Sequence, residues 1–104
     1  MSLNRHNPKR DANELEIVEA LRDAGYWVER LDQPVDLLVG RRGYPHVALI
    51  EVKMKNGKLT DDQLRFFQQS EGACRFVVFS KEQALAACDN WISRCERLEH
   101  QANS

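Results

Sequence analysis

The chain has 104 residues, 42% hydrophobic and 30% charged. That suits one small folded domain and excludes a disordered tail, and no apolar run is long enough to span a bilayer. Fifteen basic against sixteen acidic residues leave a net charge of −1, which rules out a polycation that coats nucleic acid. The charge is unevenly spread: residues 1–10 carry +3, residues 11–36 carry −6 and residues 37–58 carry +4. An acidic cluster beside a basic one is compatible with metal and phosphate binding, and equally with a salt-bridged surface. No basic start precedes an apolar stretch, so a secretory signal is not expected and a cytoplasmic location is. The three cysteines, Cys74, Cys88 and Cys95, form no CxxC pair, and His6, His46 and His100 share no ligand spacing. The cysteines read as small apolar packing residues in a reducing compartment.

Residues 1–10 read as a flexible basic arm, followed by a single domain over 11–104. Asp11-x-x-Glu14 reads as a capping box that opens a helix, with Leu15, Val18, Leu21 and Ala24 as its apolar series and Gly25 as its stop. Tyr26 to Leu31 reads as a strand, as does Leu37 to Val39 after Pro34-Val35-Asp36. A turn at Gly43-Tyr44, of type II′, leads into a strand over Val47–Met54. Asn56-Gly57 marks the next turn. Thr60 is then an N-cap, with Gln63 at N3 and Leu59 and Leu64 as a staple, for a helix to about Ser70. Arg75 to Phe79 is a strand. Ser80-x-x-Gln83 opens a last helix with Leu85, Cys88, Trp91, Ile92, Cys95 and Leu98 on its apolar face. The order α-β-β-β-α-β-α predicts an α/β fold, a mixed sheet flanked by helices.

Glu51 and Lys53 stand two apart in a strand and therefore share a face, while Ile50, Val52 and Met54 form the apolar face. A hairpin closed by Gly43-Tyr44 pairs residues whose numbers sum to 87, which sets Asp36 opposite Glu51 with Cβ atoms about 5 Å apart. Two adjacent carboxylates repel unless a cation lies between them or one takes a proton. Mg²⁺ resolves that conflict, since it favours one or two carboxylates with water and phosphate oxygens. A neighbouring lysine can orient or deprotonate a water and stabilise developing charge. These features together suit hydrolysis of a phosphodiester.

Asp36, then fourteen residues, then Glu51-Val52-Lys53 resembles the PD-(D/E)XK nuclease superfamily, and most closely its small Holliday-junction-resolvase-like and VRR-NUC-like branch. Glu14 matches that branch's early-helix glutamate, and Gln63-Leu64-Arg65-Phe66-Phe67 matches its Q-x-x-x-Y pattern with phenylalanine in place of tyrosine. Val35 stands as an extra residue between Pro34 and Asp36. The resemblance spans about residues 10–80 and leaves the last helix as an addition. It implies a restriction-endonuclease-like αβββαβ core and a metal-dependent endonuclease acting on branched or structured DNA. Asp36, Glu51 and the Val52 backbone carbonyl would hold Mg²⁺ or Mn²⁺, with Glu14 joining directly or through water. Lys53 would position the attacking water, and Gln63 would orient Lys53 or contact a phosphate. Arg10, Arg41, Arg42, Lys55 and Lys58 would contact DNA.

Each residue also has a plainer reading. Glu14 can serve only as the cap partner of Asp11, and Gln63 only as that of Thr60. Glu51 and Lys53 can form an exposed ion pair, and Asp36 can be a turn residue. The alternative function is the same fold without catalysis, a DNA-binding or protein-interaction module. A homodimer is expected, through the last helix or through Tyr26, Trp27 and Phe66. No membrane partner is expected.

Overall fold

The computed structural model describes residues 12–102, with side chains described as far as Leu98. Three helices and four strands follow in the expected order: α1 (Glu14–Asp23), β1 (Tyr26–Arg30), β2 (Leu37–Arg41), β3 (Val47–Val52), α2 (Asp61–Gln69), β4 (Arg75–Val78) and α3 (Lys81–Ala102). The sheet runs β1-β2-β3-β4, antiparallel across the first two pairs and parallel between β3 and β4. It is therefore a small α/β fold with a mixed sheet. No helix among the described residues is long and apolar enough to cross a membrane.

One face of the sheet carries Tyr26, Val28, Leu37, Val39, Ala48, Ile50, Val52 and Val78, alternating along each strand as a half-buried sheet requires. Ile17, Val18 and Leu21 of α1 and Ala84, Cys88, Trp91 and Ile92 of α3 close over that face to form the core. Two tyrosines fasten α3 down: Tyr26 Oη donates to Asp89 Oδ1 and Tyr44 Oη to Glu96 Oε2, each at 2.6 Å. Burial pushes the Cys88 thiol up to about 12 and the Cys74 thiol to about 11, so both are protonated packing groups.

Three expectations about helix faces change. The buried stripe of α1 is Glu14, Ile17, Val18 and Leu21, and Leu15 is 52% exposed. A strict three-residue series slips by about 60° per step around a helix, so Leu15 and Ala24 lie on opposite sides; the real stripe mixes steps of three and four. The first turn starts at Asn13, whose side chain makes no capping bond. Asp11 lies outside the described residues, as does Arg10. At the other end of the chain, Leu98 is 59% exposed. The 22-residue α3 is roughly 33 Å long, while strands of four to six residues extend about 20 Å at most, so the helix outruns the sheet.

The β2–β3 hairpin has the expected register, with Leu37 opposite Ile50 and Gly40 opposite Val47. Its turn differs. Tyr44 N donates to the Arg41 carbonyl at 3.0 Å, and Gly43, at φ +91°, occupies the second central position, so this is not a type II′ turn. Strand β2 accordingly runs on to Arg41, past the expected end at Val39. Strand β3 stops at Val52, before Lys53 and Met54, because the chain turns through Asn56 at φ 70° and Gly57 N bonds back to the Met54 carbonyl. Met54 is thereby exposed and does not extend the apolar face.

Candidate functional site

The parity that buries Ile50 and Val52 aims Glu51 at the opposite face of the sheet, where α2 lies. Helix α2 starts there because Thr60 and Gln63 cap it reciprocally. Thr60 Oγ1 accepts from Gln63 N at 3.2 Å, and Gln63 Oε1 accepts from Thr60 N at 2.8 Å. The other end of the Gln63 amide is thus fixed in direction, and its Nε2 donates to Glu51 Oε2 at 2.8 Å. Gln63 is both the cap partner of Thr60 and a contact of Glu51, not of Lys53 as expected.

Glu51 is 3% exposed. Its Oε2 also lies 3.7 Å from Lys53 Nζ. Lys53 is half-buried, and its backbone N–H extends the β3–β4 ladder to the Val78 carbonyl at 3.0 Å. Asp36 stands at the head of β2, and its Oδ2 accepts from Val52 N at 2.8 Å, so the carboxyl is held against the β3 backbone between Glu51 and Lys53. The backbone carbonyl of Asp36 accepts from Leu31 N at 2.6 Å, which closes the β1–β2 loop beneath it. Burial, then the negative charge of Asp36, raises the Glu51 carboxyl to about 8, with Lys53 pulling the other way. A carboxyl in this setting gives up its proton less readily than usual, and a nearby cation favours its charged form.

Glu14 is 1% exposed, and its Oε2 accepts from Arg30 Nε at 2.9 Å. The pairing with Arg30 is not legible in the sequence, since it depends on α1 crossing the end of β1. Among the described residues no three His, Cys, Asp or Glu side chains are gathered at metal-ligating distance. Asn13 is the second unforeseen member. Its Nδ2 donates to the carbonyls of Lys53 at 3.2 Å and Phe79 at 3.0 Å, joining the ends of β3 and β4, while its buried Oδ1 has no hydrogen-bond partner. Asn13 stands at the N-cap position of α1, and the packing of α1 on the strand ends turns its side chain away from the cap.

Comparison of the chain with protein-family models, with characterised proteins and with solved structures finds no match. The basic residues divide into two groups. Lys55 and Lys58 are exposed on the segment that leaves β3 beside Lys53. Arg41 and Arg42 lie at the far end of β2, roughly 16 Å of strand from Asp36, and do not flank the carboxylates. Arg41 is engaged there, its guanidinium 4.7 Å from the Tyr26 ring centroid and its Nη1 donating to the Ala24 carbonyl at 3.5 Å. Arg42 is exposed and borders a hollow with Trp27 and Arg22.

Proposed function

We propose that this protein is a metal-dependent endonuclease of the PD-(D/E)XK type, hydrolysing phosphodiester bonds in branched or structured DNA. The observation that carries the reading is the β2–β3 register, which sets Asp36 against the backbone of β3 beside Glu51, with Gln63 and Lys53 both at Glu51 Oε2. The donor set fits a hard divalent ion: two neighbouring carboxyls, one of them buried and resisting ionisation, gain most when a cation supplies the missing charge. Asp36, Glu51 and the Val52 carbonyl would hold Mg²⁺ or Mn²⁺, with Glu14, paired to Arg30, joining only through water. When bound, such an ion makes a coordinated water more acidic and offsets phosphate charge.

The chain's own groups do the rest. Gln63, locked by its cap, holds Glu51 Oε2 in place. Lys53 presents its ammonium at the same oxygen, where it orients the attacking water and offsets charge developing on the phosphate. Lys55 and Lys58 reach for flanking phosphates. A second copy of the chain would supply the second site that symmetric cleavage of a junction needs.

The test is incubation with linear, flapped and four-way DNA, with Mg²⁺ or Mn²⁺ and with chelator. Cleavage is expected with metal and not with chelator. Full activity in chelator would overturn the mechanism, and binding without cleavage under every metal would leave a DNA-binding module.

A further inference from the structure

Gln63, which bonds Glu51, also lines a cleft of about 390 Å³ between the β1–β2 loop and α2. Asp32, Gln33 and Pro34 form one wall, and Gln63, Phe66 and Gln69 stand on the other, with Arg65 and Asp62 at its rim. We propose that this cleft receives the base of one unpaired nucleotide beside the phosphate held at Asp36 and Glu51, so that DNA with an unpaired nucleotide at the cleavage point is preferred over continuous duplex. The inference rests on the phosphodiesterase reading above for its phosphate, and on the cleft's own lining for its base.

Three observations converge on it. Gln63 belongs to both places, lining the cleft while its Nε2 bonds Glu51, so an object in the cleft is one side chain away from the carboxylates. The chain from Gln33 to Asp36 likewise joins the opposite wall to the site within three residues. The lining also has the chemistry of a base edge. Exposed Gln33 and Gln69 each offer an amide donor and acceptor, the pairing that reads a base edge through two hydrogen bonds. Half-buried Phe66 and the Pro34 ring offer apolar faces, and base stacking on an aromatic ring tolerates any base. Arg65, held to Asp62 at 2.6 Å, keeps a guanidinium at the rim for the backbone. A paired base presents neither its Watson–Crick edge nor its flat face to a protein, so duplex cannot use this cleft.

The experiment is anisotropy of labelled DNA in Ca²⁺, comparing a duplex with a single-stranded flap against a continuous duplex of equal length. The wild-type chain should favour the flap by roughly tenfold or more, the scale of one base edge read through two hydrogen bonds. The double variant Gln33→Ala/Gln69→Ala should lose that preference and keep duplex affinity. Both side chains are exposed, so the fold does not depend on them. Phe66→Leu should weaken flap binding alone. A wild-type protein without flap preference, or a double variant that retains it, would overturn the proposal. Cleavage of duplex with no flap preference would sink the cleft and spare the nuclease reading. Flap preference erased by the double variant, without cleavage under any metal, would uphold the cleft and sink the catalysis.

Discussion

Glu51 is where folding and the proposed function oppose each other. A carboxyl raised from its ordinary value to about 8 binds a proton more tightly folded than unfolded. Its contribution to metal-free stability is therefore greatest at acid pH and falls as pH rises from about 4.5 through 8. Glu51→Gln should flatten that slope and raise the melting temperature at pH 9, by about 4–8 °C per kcal/mol recovered, because Gln63 Nε2 can still donate to the remaining amide oxygen. The same variant, like Asp36→Asn, should abolish metal-dependent cleavage. Thermal melts across pH together with a cleavage assay check both; a Glu51→Gln protein less stable than wild type at pH 9 would contradict the buried-charge account. Lys53→Ala removes a group that touches Glu51 without carrying a carboxylate. Calorimetry should show metal binding largely kept, while the single-turnover rate falls by roughly 10²-fold or more. Cleavage at the wild-type rate would reject its assignment.

Among the elements, the β1–β2 pair shows how one small residue sets a surface. Trp27 lies directly opposite Gly40, and its ring fills the space a side chain would take: a Cβ on Gly40 would fall 1.9 Å from Trp27 Cζ2. Gly40→Ala should therefore push the indole off the sheet and cost about 1–3 kcal/mol, measured by urea denaturation. Adding Trp27→Ala should recover much of that loss, the coupling expected of two residues in contact. Helix α2 contrasts with this tight pairing. None of its residues is fully buried, and Arg75 fastens its end through the Phe67 carbonyl and the Phe67 ring. The helix is thus held by its cap at one end and by Arg75 at the other, with its inner face left facing the cleft.

The assembled fold covers most of the apolar face of α3, one of the two surfaces expected to carry a subunit contact. Helix α3 spends Ala84, Cys88, Trp91 and Ile92 on its own sheet, and among its described side chains Leu98 is the large apolar one left exposed. The outer sheet face keeps Trp27 at 42% exposure with Val47 near it on the neighbouring strands, and this is the better seat for a homodimer. Sedimentation equilibrium at micromolar concentration should give a dimer, which Trp27→Arg should convert to monomer. A wild-type monomer that still cuts branched DNA would reject the dimer. DNA affinity should fall as salt rises, with a modest slope, because binding by an overall acidic chain rests on a few local lysines.

The order of elements, the β2–β3 register and the capping box at Thr60 are legible in the linear chain, because each is decided by neighbours: the alternation around Glu51, the residues of a short turn, a side chain three positions from its cap. The meeting of Asp36 with β3 follows from that register and is legible for the same reason. The burial of Glu14, its pairing with Arg30 and the bridging by Asn13 are not, since each depends on where α1 crosses the strand ends. The same holds for Leu98, which has a helix-face spacing but no sheet beneath it, and for Arg41 and Arg42, whose distance from the carboxylates is set by strand direction and not by charge pattern. Local periodicity specifies which side of an element turns inward; only packing between elements decides what waits there, because those contacts join residues that no spacing rule connects.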